Sequence, residues 1–508
     1  MAWEAGKAGI RIGIVGTGTM GRGIAQIAAQ AGFEAKLYDA IPDAAEQARA
    51  SIAEVLGKQV EKGKLAKDAF EATMARLKCV AALSELADCD VVVEAIVEKI
   101  EPKRELFQAL EAILREDAIL ATNTSSLSVT AMAAACKRPG RVAGYHFFNP
   151  VPLMKIVEVV NGALTEPWVS EALAELARRM GHTAVLANDM PGFIVNHAGR
   201  AYIPESLRII SEGVTDFHTL DRIMKDAAGF RMGPFELQDL VGLDISQMVM
   251  DSIYNQFYQE PRFRVTPLVT QRTAAGLFGK KSKRGFYDYS ASAAAVPDPE
   301  PPVPAAQKRP VWVSPADTDL AEKVRGAFIK GGAAVEGGAA PSSAAVIVVA
   351  PLGKDTTTCA VEQGLDATRT VAVDALFPLE KRITLMRSPA TDRAALDAAH
   401  AMLAAGGVPV SVIRDSPGFV AQRVVAQIVS IGCDIAQQRI ASPGDIDSAV
   451  RLGLGYPKGP LGMGDALGPK RILTILENLY ATYGDPRYRP SIWLRRRALL
   501  GLSLLVED

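Results

Sequence analysis

Histidine is rare in this chain, and one of the five, His146, stands in the run Tyr145-His146-Phe147-Phe148-Asn149-Pro150, with Glu158 twelve residues further on. An imidazole titrates near neutrality, so it can take the proton of a secondary hydroxyl, and a nearby carboxylate can orient the ring and stabilise the imidazolium. Upstream, Ile14-Val15-Gly16-Thr17-Gly18-Thr19-Met20-Gly21 has the spacing of a dinucleotide-binding turn. Gly16 permits the tight turn, Gly18 lets the backbone approach a pyrophosphate, Thr19 and Met20 open the helix, and Gly21 allows helix and strand to pack closely. Asp39 follows Gly21 by 18 residues, at the end of the next strand. A carboxylate there accepts hydrogen bonds from a ribose and repels a 2′-phosphate, and Ala40 supplies no arginine to offset that repulsion. NAD is therefore the expected cofactor, and the chemistry is a hydroxyl proton passing to His146 while hydride leaves the same carbon for a nicotinamide ring.

These residues need a sheet to hold them. Strand-like runs at Ile10–Val15, Ala35–Tyr38, Asp90–Ala95, Ala118–Thr122, Val142–Tyr145 and Val157–Val160 alternate with longer helical segments. Short buried strands separated by helices predict βαβ units and a mostly parallel, doubly wound sheet. His146 falls just past a predicted strand, where open α/β folds bind their ligands. After Asp189-Met190-Pro191-Gly192-Phe193 the strand pattern stops, and segments such as Ile194–Glu212 and Leu240–Tyr258 read as long helices.

An internal repeat follows. An offset of 226 residues carries Asp189, Pro191, Gly192 and Phe193 onto Asp415, Pro417, Gly418 and Phe419, and Asp221, Gly229, Gly233, Pro234 and Asp239 onto Asp447, Gly455, Gly459, Pro460 and Asp465. The expected organisation is a Rossmann-type dinucleotide-binding domain at 1–188, a helical domain at 189–288, a Pro/Ala-rich linker at 289–310, a degenerate Rossmann-like unit at 311–412 and a second helical copy at 413–508. The degenerate unit has strand candidates at Ala345–Val349 and Thr370–Val373, but its opening Val311-Trp312-Val313-Ser314-Pro315 lacks the glycines that bring a pyrophosphate close to a helix N-terminus. At the same offset Asn196 becomes Gln422 and Glu158 becomes Thr384, and no histidine lies between His218 and His400. The second half is expected to be structural.

Composition bounds the remaining possibilities. With 508 residues, 49% hydrophobic and a net charge of −1, the chain predicts several globular domains and gives no electrostatic footprint for nucleic acid or an anionic membrane. Cys79, Cys89, Cys136, Cys359 and Cys433 are scattered, with no CxxC pair and no metal-ligand spacing, so they read as buried fillers and no metal site is expected. The N-terminus shows neither a signal-type apolar region nor a membrane span, which points to a cytoplasmic protein.

The blocks Asn123-Thr124-Ser125-Ser126-Leu127, His146-Phe147-Phe148-Asn149-Pro150-Val151-Pro152, Glu158 and Pro191-Gly192-Phe193-Ile194-Val195-Asn196 resemble, in order and spacing, the signatures of L-3-hydroxyacyl-CoA dehydrogenases. The likeness spans about residues 10–287, and the full length is similar to the long 3-hydroxyadipyl-CoA dehydrogenases of phenylacetate breakdown. The resemblance implies NAD-dependent oxidation of the 3-hydroxyl of an acyl-CoA in fatty-acid β-oxidation or phenylacetate catabolism. It implies His146 as base, Glu158 as its orienting carboxylate, and Ser125 and Asn196 as hydrogen-bonding groups at the 3-oxygen. It further implies Asn149 near the nicotinamide, Glu94, Lys99 and Lys281 near the cofactor, and Lys62 as the contact to coenzyme A. In short members of the family the helical domain resembles a dimerisation module, so two copies in one chain imply an intramolecular pseudo-dimer, with homo-oligomers of the whole chain left open. Two alternatives stand beside this reading: a β-hydroxyacid dehydrogenase acting on a free acid through a lysine base, and a non-catalytic NAD-binding relative.

Overall fold

The computed structural model describes residues 9–290 and 299–507, and these fall into two compact units that are not consecutive in sequence. One unit holds residues up to His197 together with Gln438–Leu454; the other holds Ala198–Gln437 and residues from Gly455 onward. The expected linker falls partly on 291–298, outside the described residues, and 299–310 has no regular structure.

The first unit is built on eight strands: β1 (Arg11–Val15), β2 (Glu34–Tyr38), β3 (Leu77–Cys79), β4 (Val91–Glu94), β5 (Ile119–Thr122), β6 (Val142–Phe147), β7 (Ile156–Asn161) and β8 (Thr183–Asn188). Their spatial order is β3-β2-β1-β4-β5-β6-β7-β8, parallel except for the antiparallel pair β6–β7. Alternate residues of each strand face opposite sides. Ile12, Ile14, Val91 and Val93 pack under the helices Thr19–Gln30, Ala44–Glu61 and Pro167–Arg179, whereas Val15, Val92 and Leu120 pack under the helix Ile100–Ile113. Apolar layers on both faces make the sheet doubly wound, as the βαβ pattern predicts. The helix Pro443–Leu454, from the second helical copy, also belongs to this unit and packs on β7 and β8, where the Asn188 amide donates to the Ile440 carbonyl at 2.7 Å.

The second unit contains a six-stranded sheet: β9 (Val311–Val313), β10 (Val335–Glu336), β11 (Val346–Val349), β12 (Thr370–Val373), β13 (Ile383–Arg387) and β14 (Val410–Arg414), in the order β10-β9-β11-β12-β13-β14. The antiparallel pair β12–β13 repeats β6–β7, but β9 pairs directly with β11, so one strand of the first sheet has no counterpart between them. Both helical copies contribute to this unit, with the helix Tyr202–Ser211 packed on Ala421–Gln437.

Two long helices expected from periodicity are broken. Ile194–Glu212 forms a short helix Val195–Ala198 and a separate helix Tyr202–Ser211, which places Pro204 in the first turn, where a missing N–H costs nothing. The second copy has Ser430 at the matching position and runs unbroken from Ala421 to Gln437. Leu240–Tyr258 divides at Gly242, whose φ of +99° a helix cannot accommodate.

Candidate active site

His146 lies on β6, and its directly opposed antiparallel partner on β7 is Glu158. Both are buried, and Nδ1 of the imidazole stands 2.6 Å from Glu158 Oε2. The other carboxylate oxygen, Oε1, accepts from the backbone amides of Ile194 at 2.9 Å and Val195 at 2.8 Å. Those amides are aimed by the Pro191-Gly192-Phe193 turn, in which Gly192 and Phe193 take φ values of +76° and +47°. A left-handed phenylalanine is a strained residue, and here it brings two donors to one oxygen. A carboxylate held this way is an acceptor only, so the imidazole proton sits on Nδ1 and the Nε2 lone pair is left to act. Phe148 and Phe193 enclose the ring, at centroid distances of 4.4 and 5.8 Å.

A cavity of about 380 Å³ opens beside this pair, lined by Met20, Ala95, Ile96, Glu98, Lys103, Asn123, Ser125, Phe147, Phe148, Asn149 and Asn196 as well as His146. Ser125 and Asn196 meet within it, Asn196 Nδ2 donating to the Ser125 carbonyl at 3.4 Å. The structure thus gathers His146, Glu158, Ser125, Asn149 and Asn196 at one site.

The glycine turn suits a dinucleotide. A Cβ on Gly16 would come 2.6 Å from the Ala95 carbonyl oxygen, one on Gly21 would collide with the Gly16 carbonyl, and one on Gly18 would meet nothing, which leaves an open approach to the helix Thr19–Gln30. No side chain caps that helix end, so its amides are available to an anion. Asp39 Oδ2 accepts from the Thr17 amide at 2.7 Å and the Thr17 hydroxyl at 2.9 Å, and Oδ1 accepts from the Ile41 amide at 3.0 Å. Partial burial works against its charge, but these donors outweigh that effect and hold the carboxyl below its ordinary value. The residues present fit a bound NAD: Asp39 would take the ribose hydroxyls and the helix end the pyrophosphate.

Two charged groups that line the cavity, Glu98 and Lys103, were not among the sequence candidates. Lys103 is fully buried, with Nζ 2.5 Å from Glu94 and 3.3 Å from Glu98. Glu98 is desolvated, but the Thr124 hydroxyl, Lys103 and the Ser125 amide more than compensate and lower its pKa. The signal was legible: Lys103 shares the apolar face of its helix with Phe107 and Leu110. Glu94 lies beneath, buried and bonded to Lys103, the Ile96 amide and the Thr122 hydroxyl, and does not line the cavity. Lys99 is an exposed residue at the start of its helix, and Lys62 an exposed residue at the end of Ala44–Glu61. Lys281 belongs to the other unit, paired with Asp244 at 2.5 Å.

In the second sheet the place of His146 is filled. The Asp374 amide donates to the Thr384 carbonyl at 3.1 Å, continuing the β12–β13 register, so Asp374 opposes Thr384 as His146 opposes Glu158. Gln422 Nε2 donates to Asp374 at 2.9 Å and to the Pro351 carbonyl at 3.1 Å. The helix Thr318–Lys330 that follows β9 is capped by Asp317, whose carboxylate accepts from the Leu320 amide at 3.1 Å.

Comparison with known proteins agrees with this geometry. Residues 11–190 match the family model of the 3-hydroxyacyl-CoA dehydrogenase NAD binding domain, and residues 192–289 and 418–503 match that of the 3-hydroxyacyl-CoA dehydrogenase C-terminal domain. The chain is 38% identical over 495 residues to the 3-hydroxyadipyl-CoA dehydrogenase of Escherichia coli strain K12, covering 96% of this chain and 97% of that protein. It is 40% identical over 280 residues to a probable 3-hydroxybutyryl-CoA dehydrogenase of Deinococcus radiodurans, covering 55% of this chain and all of that protein. Its structure is similar to a crystal structure of 3-hydroxybutyryl-CoA dehydrogenase from Escherichia coli K12, with a TM-score of 0.85 at 36% identity, covering 97% of this chain and 99% of that one.

Proposed function

Because the chain belongs to the 3-hydroxyacyl-CoA dehydrogenase family, whose members are NAD-dependent oxidoreductases, we propose that it oxidises an L-3-hydroxyacyl-CoA to the 3-ketoacyl-CoA with NAD as the hydride acceptor and His146 as the general base. The observation that carries this reading is the buried His146–Glu158 pair at the wall of the cavity. Nε2 takes the 3-hydroxyl proton, and Glu158, fixed by two backbone amides, stabilises the imidazolium that results. Ser125 and Asn196 hold the 3-oxygen as it becomes a carbonyl. When bound, NAD supplies the acceptor for the hydride that leaves the same carbon. Asn149, Glu98 and Lys103, which line the cavity, are the groups we assign to ordering the nicotinamide end.

The substrate we favour is a 3-hydroxyacyl-CoA whose acyl chain ends in a carboxylate, on the 38% identity over 495 residues to a 3-hydroxyadipyl-CoA dehydrogenase; the full-length likeness to a crystal structure of a 3-hydroxybutyryl-CoA dehydrogenase makes a short linear thioester the competing substrate. Steady-state rates on a panel of CoA thioesters, from 3-hydroxybutyryl to 3-hydroxyadipyl, test both parts. The carboxylate-ended substrate is expected to give the highest kcat/KM, and a free hydroxy acid no turnover. His146→Gln is expected to bind NADH normally and lose about 10²–10⁴ in rate. A highest kcat/KM on a short linear thioester would overturn the substrate choice, and normal turnover by His146→Gln would overturn the base.

We read one catalytic cleft per chain; the reading is supported by the second sheet, where Asp317 caps the helix end that an anion would need and an acid stands in for the histidine. The two helical copies act in place of two subunits. Arg262 Nη2 donates to the Arg489 carbonyl at 2.7 Å and Arg487 Nη2 to the Arg264 carbonyl at 2.6 Å, a reciprocal pair of the kind a two-fold interface produces.

A further inference from the structure

We propose that Asn123 binds the carboxamide oxygen of the nicotinamide through its Nδ2, and so ties the cofactor ring to the strand that carries His146. The inference rests on the dehydrogenase reading of the cavity and adds to it a residue that neither motif spacing nor the catalytic roles above had assigned.

Asn123 is the residue after β5. Its backbone amide donates to the Glu94 carbonyl at 2.8 Å, which keeps it in line with the sheet. The β5–β6 ladder ends at Thr122 and Gly144, and beyond that point the Asn123 side chain takes over, its Oδ1 accepting from the Phe147 amide at 2.8 Å. Phe147 follows His146 directly, so this bond fixes where the base stands. It also fixes the orientation of the amide. A backbone N–H can only donate, so the atom facing it is the oxygen, and in a planar carboxamide the NH₂ group then points elsewhere. Among the described residues no acceptor receives Nδ2, while Asn123 lines the cavity together with Ser125, His146 and Asn149. Nδ2 is thus a donor at the cavity wall that a ligand acceptor can take.

Besides the 3-oxygen assigned to Ser125 and Asn196, two carbonyls enter this cavity in the proposed reaction, the nicotinamide carboxamide and the acyl thioester. The position of Asn123 favours the first. It follows β5, beside β4, whose following residues Ala95 and Ile96 line the cavity with Met20 of the glycine turn. Asn196, by contrast, follows the Pro191-Gly192-Phe193 turn. Dinucleotides lie across the strand ends on the glycine-turn side. The second half offers an internal control: at the repeat offset of 226 Asn123 becomes Val349, which has no amide, in the half that also lacks the glycine turn.

The Asn123 carboxamide accepts from Phe147 through Oδ1 and can donate to a ligand through Nδ2. Asn123→Asp keeps the acceptor and loses the donor, whereas Asn123→Ala loses both. The test compares dissociation constants of NADH and ADP-ribose, which lacks the nicotinamide, by titration calorimetry on the full-length wild type and both variants. Wild type is expected to bind NADH more tightly than ADP-ribose. Asn123→Asp is expected to bind ADP-ribose unchanged and NADH about ten-fold more weakly, consistent with one lost hydrogen bond, with its KM for the acyl-CoA unaltered. An unchanged NADH to ADP-ribose ratio in Asn123→Asp overturns the proposal, as does a loss confined to acyl-CoA KM, which would assign Nδ2 to the thioester. Failure of the dehydrogenase reading looks different: wild type itself would then show no preference for NADH over ADP-ribose. If Asn123→Ala does not fold, the Asp variant, which preserves the bond to Phe147, still decides the matter.

Discussion

Glu158→Gln isolates the chemistry of the catalytic pair because the local geometry dictates how glutamine must sit. Oε1 of Glu158 receives two backbone N–H groups, from Ile194 and Val195, and only an oxygen can satisfy them. The glutamine oxygen is therefore committed to that side, and its NH₂ faces Nδ1 of His146, now occupied by a carboxylate at 2.6 Å. Nδ1 must then accept, the ring proton moves to Nε2, and the atom meant to take the hydroxyl proton has no lone pair. General-base loss costs about 10²–10⁴ in rate, and imposing the wrong histidine tautomer by the same kind of carboxylate-to-amide change costs about 10⁴ elsewhere. We expect kcat at the upper end of that range, with little change in NADH affinity. Stability should fall by only about 1–2 kcal/mol, because both backbone bonds persist and a charge-assisted bond gives way to a neutral one. Steady-state oxidation of a 3-hydroxyacyl-CoA, run beside NADH fluorescence titration and urea unfolding, reads all three quantities. Turnover within ten-fold of wild type in a folded variant would refute the tautomer argument.

Three further outcomes follow. Asp39→Asn removes the charge opposite the ribose and should weaken NAD by about 10- to 100-fold, equivalent to one charged hydrogen bond, while NADP binding improves relative to it; equal effects on both cofactors count against the assignment. Burial pushes the Asp374 carboxyl up to about 6 from an ordinary 3.8, despite donors from Gln422 and the Leu376 amide, so the native state binds this proton more tightly than the unfolded chain. Its favourable contribution is present below pH 3.8 and lost as pH rises through 6, a cost of about 3 kcal/mol at neutral pH, so Asp374→Asn should stabilise by about 1–2 kcal/mol near pH 8, after the cost of its buried NH₂, and by almost nothing near pH 4 in denaturant titrations. Arg423, fully buried between Glu205, Glu212, Tyr483 and Tyr488, joins the two helical copies; Arg423→Met should cost about 3–5 kcal/mol of unfolding free energy, and a loss under 1 kcal/mol would show that the cluster contributes little.

The first sheet was legible because its central strands are apolar runs framed by a glycine turn and amphipathic helices. The strands that escaped notice lack such a signal: β3 spans three residues and β8 alternates exposed and buried positions. His146 and Glu158 were legible as residue types, but their pairing depends on the antiparallel register of β6 and β7, which spacing alone does not determine. Charge gave no comparable signal: Lys103 is hidden in an otherwise apolar helix face, where a cation persists because Glu94 and Glu98 meet it.

What the two halves share separates scaffolding from chemistry. Asp189 accepts from the Ser128 hydroxyl and the Thr130 amide, and its repeat partner Asp415 accepts from the amides of Thr356 and Thr357, so each ties the end of its last strand to the helix after a central one. The left-handed turn recurs too, at Gly418 and Phe419 with φ of +72° and +52°. Asn196 donates to the Ser125 carbonyl, and Gln422 to the Pro351 carbonyl at the same offset. Bonds that survive where no histidine remains serve the fold, so the Nδ2 bond of Asn196 to the Ser125 carbonyl belongs to the scaffold. The carboxylate of Glu158 behaves oppositely: Thr384 stands in its place, and there the strained turn persists without that acceptor. Strain at Phe193 is thus a property of the fold that the first half has turned to use, directing two amides at the carboxylate paired with His146.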